Sequence, residues 1–304
     1  MATCFLCGMP MVPRFCALDH ARPDHPTEYQ VEWCFPCGYG RVAKDFTPED
    51  VAGFYGEGYY THGDDFVPTR PKRWLDRLRV ALAWRGDHGV TLSPAELPQS
   101  KKNPRLCDVG CGGGLAMSEF KQAGYEVVGI EPDAEARLVA GKIGVVHDGI
   151  AEALPSEVAG QEFDAVLLSH VLEHCIDPLA ALRNVKSLMA PDGTLIVEVP
   201  NNGSLGFETY GAGWFFSDIP RHLQFFTENS LREALGRVGL RVTRSIYVGY
   251  TRQFRPEWLA EQAEIGARIG AGSQEGNSWG LLARTAFAKD ARKYDSIRVH
   301  AVHA

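Results

Sequence analysis

The chain has 304 residues, 45% of them hydrophobic, and a formal net charge of −7 from 31 Lys and Arg against 38 Asp and Glu. That length accommodates one large α/β domain with appendages, and the acidic balance argues against a surface built to embrace a phosphate backbone. The longest apolar stretch, Ala165 to Leu172, is interrupted by Ser169 and His170 and is far too short to span a bilayer.

The opening residues, MATCFLCGMP, hold no basic segment followed by an apolar run, so no signal peptide is expected and the predicted location is cytoplasmic. Residues 1–45 are rich in Cys, Pro and His and show little periodicity. They carry two CxxC pairs, Cys4/Cys7 and Cys34/Cys37. Each pair places two thiols on a tight turn, and two such turns complete a tetrahedron, so a structural zinc is expected at Cys4, Cys7, Cys34 and Cys37. Four thiolates close the metal's shell and leave no position for water, which excludes a catalytic role for that zinc. The competing readings are unligated thiols or redox pairs, with Cys16, His20 and His25 as spare ligands. The remaining cysteines, Cys107, Cys111 and Cys175, read as small packing residues.

Residues 46–104 read as a lid and linker. Tyr55, Tyr59 and Tyr60 offer ring faces to a cationic ligand, or simply an apolar anchor. Residues 71–86, PKRWLDRLRVALAWRG, predict an amphipathic helix with a solvated basic face; a grip on an anionic macromolecule or membrane surface is the alternative. A polar linker, LSPAELPQSKKNP, follows.

From Arg105 onward, short apolar runs alternate with helical patterns. RLCDVG, EVVGIEP, VVHDG, FDAVLLSH and GTLIVEVPN read as strands. LAMSEFKQAG and DAEARLVAGKIG read as helices. DPLAALRNVKSLMAPDG is predicted to be a helix with Asp177 at the N-cap, Pro178 at N1 and Gly193 closing it. SLREALGRVG is predicted to open on a capping box formed by Ser230 and Glu233. Strands and helices in this alternation predict a doubly wound, mostly parallel α/β sheet, in which ligands bind beyond the carboxyl ends of the strands. SIRVHAVHA is expected as a last strand antiparallel to LRVTRSIYVGY, with the stretch between them, about residues 251–295, capping the pocket as an insertion.

The glycine loop, Asp108 to Gly114, falls where ligands bind in such a sheet. A dinucleotide fingerprint, GxGxxG, requires its third glycine at position 115, which is Leu. Asp108 at the strand end is awkward beside a pyrophosphate and suits a cationic ligand. Glu131, at the tip of the next strand, is placed to accept ribose hydroxyls.

Five motifs in order, DVGCGGG, GIEPD, FDAVLLSHVLEHCIDP, LMAPDGTLIVEVPN and IPRHLQFFTENSLREALGRVGL, resemble the class I S-adenosylmethionine-dependent methyltransferases over roughly residues 105–250. The resemblance implies a Rossmann-like methyltransferase sheet within residues 105–304. Asp108, Gly110, Cys111, Gly112 and Gly114 would take the methionine end of S-adenosylmethionine. Glu131, with Pro132 beside it, would take the ribose. Ile150, Ser169 and His170, after the third and fourth strands, would frame the adenine. Relatives often have an acid where this chain has Ile150; Asp148 or a backbone carbonyl are the candidate replacements.

Methyl transfer to oxygen or carbon needs a base near neutral pH, a role that histidine suits. His222, in the segment overhanging the acceptor side, and His174, in VLEH, are the candidates; a purely structural role is the competing reading for each. IPRHLQFFT also resembles a segment of zinc-containing sugar C-methyltransferases, with Arg221 where those enzymes have Glu. Trp214, Phe215 and Phe216 would wall the acceptor or serve as loop packing. The expected activity is methylation of oxygen or carbon on a small molecule, a sugar or secondary metabolite among the options. The alternatives are a zinc-module-directed enzyme acting on protein or RNA, and a cofactor-binding module without catalysis.

Overall fold

The computed structural model describes residues 2–19, 22, 27–54, 74–84, 92–97, 102–269, 277–286 and 291–304. Two sheets organise them. Strands β1 (Val12–Leu18), β2 (Glu28–Cys34), β3 (Tyr39–Val42) and β9 (Gln224–Phe226) form an antiparallel four-stranded sheet in that order. The other sheet contains β4 (Arg105–Val109), β5 (Glu126–Ile130), β6 (Val145–His147), β7 (Phe163–Ser169), β8 (Met189–Pro200), β10 (Leu240–Val248) and β11 (Ser296–His303). Its order is β10-β11-β8-β7-β4-β5-β6. The strands from β8 to β6 run parallel, and β11 lies antiparallel between β8 and β10. This is the expected doubly wound arrangement, including the antiparallel last strand.

The helices are α1 (Pro48–Ala52), α2 (Trp74–Trp84), α3 (Leu115–Gln122), α4 (Ala134–Ala140), α5 (Pro178–Ser187), α6 (Leu205–Tyr210), α7 (Glu228–Arg237), α8 (Pro256–Arg268) and α9 (Asn277–Thr285). Both faces of the seven-stranded sheet are covered. Cys107, Val109, Val166, Leu168, Leu195 and Val197 pack in one core with Leu182 and Val185 of α5 and Leu231 and Leu235 of α7. The alternate residues, Leu106, Ala165, Leu167 and Ile196, pack in another with Met117 and Phe120 of α3. Apolar residues at every position are what a parallel sheet sandwiched between helices requires. None of the described helices is long and apolar enough to cross a membrane.

Three local expectations are corrected. α5 ends at Ser187 and Gly193 lies inside β8, because Met189 and Ala190 are buried and pull the chain straight into the sheet. α7 begins three residues earlier than expected. Thr227 is its N-cap, and the capping box is formed with Ser230, so Ser230 is at N3. In α2 the basic face is not uniformly solvated. Arg79 is buried, donating to the Phe254 carbonyl at 3.2 Å and paired with Asp76, whereas Trp74, Leu75, Leu78 and Leu82 are exposed.

The N-terminal sheet is tied to the larger one. β3 pairs with β9, so a segment nearly two hundred residues downstream completes it. Arg221, just before β9, is fully buried between Asp19, at 2.9 Å, and Asp218, at 2.6 Å. Removing one partner of a buried ion network leaves charge uncompensated. Arg221→Met should therefore cost about 3–5 kcal/mol, read as a shift in denaturant midpoint; an unshifted midpoint would show that this junction does not hold the two sheets together.

Candidate active site

The strand order reverses direction between β4 and β7, and the crevice at that point lies beyond their carboxyl ends. β4 delivers Asp108, 3% exposed, and then the glycine loop. Gly110 and Cys111 both donate to the Ile130 carbonyl, at 2.7 and 3.2 Å, which folds the loop back over β5. Gly110, Gly112 and Gly114 have φ of 76°, 50° and 86°, a region that side chains rarely enter. The reason differs along the loop. A Cβ on Gly110 would meet Val171 Cγ2 at 2.3 Å, whereas Gly112 faces open space, with nothing within 4 Å of where its Cβ would stand.

α3 begins at Leu115 with no side-chain cap, while α4, α5, α6 and α7 are capped by Asp133, Asp177, Ser204 and Thr227. Its first amides are therefore left for another acceptor, and the positive end of the helix favours a carboxylate there. The residues fit an amino-acid-bearing nucleoside: open glycine backbone, uncapped amides and two acids.

Glu131 is held tightly. Oε2 accepts from the Gly112 amide at 2.8 Å and Oε1 from the Asp133 amide at 3.0 Å. It thus sets the glycine loop. Burial, with the nearby Glu131 charge second, raises Asp108 to about 7. Pro132 and Cys111 flank this pair, Pro132 exposed and Cys111 buried. Ile150 is 39% exposed after β6, an apolar surface at the place expected for adenine. Asp148 is engaged with Arg137 Nη1 at 3.0 Å.

At the tip of β7, Ser169 is half-buried and His170 takes φ +54°. The His170 ring stacks on Phe216, centroids 5.5 Å apart, with Nδ1 3.1 Å from Glu173 Oε1 and Nε2 3.5 Å from Glu198 Oε1. Burial alone would lower its pKa, but the bonds to Glu173 and Glu198 hold it at about 9, so it is a cation at pH 7. Of the three aromatics in sequence, Trp214 is core packing against Phe207, Phe215 stacks on Trp258 of α8, and Phe216 reaches His170. α8 thereby backs the wall of the crevice.

His174 and His222 meet, with ring centroids 4.7 Å apart. His174 Nδ1 lies 3.0 Å from the Arg221 carbonyl and His222 Nδ1 lies 2.8 Å from the Phe216 carbonyl. His222 is 4% exposed, and burial, then the neighbouring His174, lowers its pKa to about 4. Sequence reasoning missed two buried acids here, Glu173 and Glu198. An acid inside the apolar run LIVEVP was the available signal for Glu198, which Arg298 meets at 2.7 Å.

In the N-terminal sheet, the sulfurs of Cys4, Cys7, Cys34 and Cys37 lie within 4.8 Å of one another and none is in a disulfide. Both knuckles are CxxCG turns, with Gly8 at φ 73° and Gly38 at φ 67°, and the second is the β2–β3 hairpin turn. The donor set fits a tetrahedral zinc. Cys16 is exposed on β1, and His20, His25, Tyr55, Tyr59 and Tyr60 lie outside the described residues.

A methyltransferase domain family matches residues 70–245 of the chain. The ubiquinone biosynthesis O-methyltransferase of Cereibacter sphaeroides is 34% identical over 212 residues, covering 64% of this chain and 82% of that protein. Those of Dinoroseobacter shibae and Bartonella tribocorum are 32% identical over 188 residues and 25% over 247, covering 56% and 77% of this chain and 73% and 87% of theirs. Among solved structures, the magnesium protoporphyrin IX methyltransferase of Synechocystis PCC 6803 aligns with a TM-score of 0.43 at 17% identity, over 76% of this chain and 82% of that one.

Proposed function

The chain belongs to the methyltransferase domain family and is an S-adenosylmethionine-dependent methyltransferase, and from that premise we propose that it methylates a hydroxyl on a small aromatic acceptor. The observation carrying this reading is the crevice between β4 and β7, with a cofactor cradle on one side and the His170–Phe216 wall on the other. The relatives' O-methyl transfer in ubiquinone biosynthesis supports oxygen as the acceptor atom. We place the enzyme in the cytoplasm, where the cysteines stay reduced.

When bound, S-adenosylmethionine supplies a methyl group already activated on a sulfonium. The protein's part is to bind, align and exclude water. Uncapped amides at the start of α3 hold the methionyl carboxylate, and Asp108 and Gly110 to Gly114 hold the adjoining cationic end. Glu131, beside Pro132, accepts the ribose hydroxyls. Ile150, Ser169 and His170 frame the adenine. Phe216, backed by Trp258, covers the acceptor side, where the His174–His222 pair faces the acceptor hydroxyl. Zinc held by Cys4, Cys7, Cys34 and Cys37 closes the N-terminal hairpins and has no part in transfer. We take residues 1–45 as that zinc module, 46–104 as lid and linker, and 105–304 as the transferase domain.

The test is an acceptor screen with methyl-labelled S-adenosylmethionine, in which a hydroxylated benzene derivative is expected to gain the label on oxygen. Labelling of protein or RNA only, with no small molecule modified, overturns the reading.

Asp108 also predicts a pH dependence. Its carboxyl is protonated in the free enzyme below about 7, and a cationic ligand favours the ionised form. Cofactor affinity should therefore rise with pH by roughly fivefold between pH 6 and 7 and level off above about pH 8, with proton release on binding. Calorimetry in buffers of different ionisation enthalpy reads the released proton, and Asp108→Asn should abolish it. A flat wild-type profile would show that Asp108 does not face the ligand's positive charge.

A further inference from the structure

We infer that Glu173, His174 and His222 form a second metal site, distinct from the cysteine cluster, for a divalent cation of the zinc, cobalt or manganese type. The candidate ligand atoms of the three residues lie within 4.8 Å of one another, a spread that a cation about 2 Å from each would draw in. Two elements supply them: the turn after β7, and the segment leading into β9.

The surroundings are those of ligands held in place before a metal arrives. Each imidazole directs Nδ1 at a backbone carbonyl, Arg221 for His174 and Phe216 for His222. The ring N–H is donated there, which puts the lone pair on Nε2, the arrangement found around metal-bound histidines. Glu173 is 1% exposed. Its Oε1 is oriented by His170, while Oε2 is buried with no hydrogen-bond partner among the described residues. A buried carboxylate oxygen left unpaired is costly, and a cation bridging to the two imidazoles removes that cost. Two nitrogens and one carboxylate oxygen suit borderline divalent ions and leave a coordination position open.

The open position gives the site a use. An acceptor hydroxyl bound there would lose its O–H proton to water near neutral pH, and the resulting oxygen anion would form the O–CH3 bond as the S–CH3 bond breaks to leave a neutral thioether. This use rests on the methyl-transfer reading; the metal site itself does not.

The test is metal analysis and cobalt titration of the full-length protein. Wild type should bind two equivalents. One should show sulfur-to-cobalt charge transfer from the thiolate site and the other should lack it. Glu173→Gln, which keeps the side chain's shape, and His174→Ala, at a half-buried position, should each weaken the second equivalent at least tenfold and leave the thiolate band intact. A single equivalent with only the thiolate signature, or a second one untouched in both variants, overturns the site. Methyl transfer that persists at full rate after the second equivalent is removed would overturn only its use on the acceptor, and metal binding without transfer to any hydroxylated acceptor would count against the methyl-transfer reading instead.

Discussion

Glu131→Ala should raise the dissociation constant for S-adenosylmethionine by roughly 5- to 150-fold, the equivalent of about 1–3 kcal/mol. Two losses combine. The proposed contact of the carboxylate with the ribose is lost, and the amides of Gly112 and Asp133 lose the acceptor that fixes the loop between them. Glu131→Gln should fall in between, because an amide oxygen still serves one of the two N–H groups while the amide nitrogen faces the other. Calorimetric titration of both variants, with a thermal scan of each, separates lost binding from lost fold. Unchanged affinity in Glu131→Ala would mean that Glu131 braces the loop without touching the ligand.

Cys34→Ser is expected to have the widest reach. Structural zinc contributes about 10–16 kcal/mol in zinc-finger peptides, and here the cluster stands at the base of both N-terminal turns. Those turns are docked on α7: Asn229 Nδ2 donates to the Cys37 carbonyl at 3.2 Å, Ser230 Oγ to the Gly38 carbonyl at 3.2 Å, and Arg237 to the Leu6 carbonyl. β9 is the fourth strand of the same sheet, two residues after His222. Loss of the proposed zinc should therefore deprotect β1, β2 and β3 in hydrogen exchange and displace the segment that carries His222. Displacement on the order of 1 Å suffices for roughly a hundredfold loss of turnover, while cofactor affinity, set by β4 and β5, should change little. Equal losses in turnover and cofactor binding would indicate general destabilisation rather than a local effect at the acceptor side.

The central sheet was legible because its signals are local. FDAVLLS has to be buried on both faces, Asp177-Pro178 caps and starts a helix within two residues, and the glycine loop sits between an apolar run and an amphipathic one. The placement of the glycine loop and Glu131 at neighbouring strand tips followed from that register. The meeting of His174 with His222 did not, because it depends on partners far apart in sequence. β9 is three residues long and finds its partner at Tyr39 to Arg41. Arg221 is neutralised by Asp218 inside the motif DIPRHLQFF and by Asp19 far upstream, and nothing within the motif reveals the second partner. Glu173 reads as an ordinary acid in a turn, yet the Leu223 amide donates to its carbonyl at 2.8 Å and both residues are buried. The cap of α7 was misplaced for a smaller reason: Thr227 and Ser230 are both good caps, and only the backbone decides between them.

The position of β11 has a consequence for how this protein is made. Among the described residues β10 pairs with β11 and no other strand, and β11 bridges it to β8. β10 is synthesised some fifty residues ahead of the strand that holds it. Until Ser296–His303 has emerged from the ribosome, the edge of β8 is open and the Leu240–Val248 segment has nothing to join. The nascent chain passes through a stage in which the cofactor cradle can already form while one border of its sheet remains uncovered, a natural point for a chaperone to intervene.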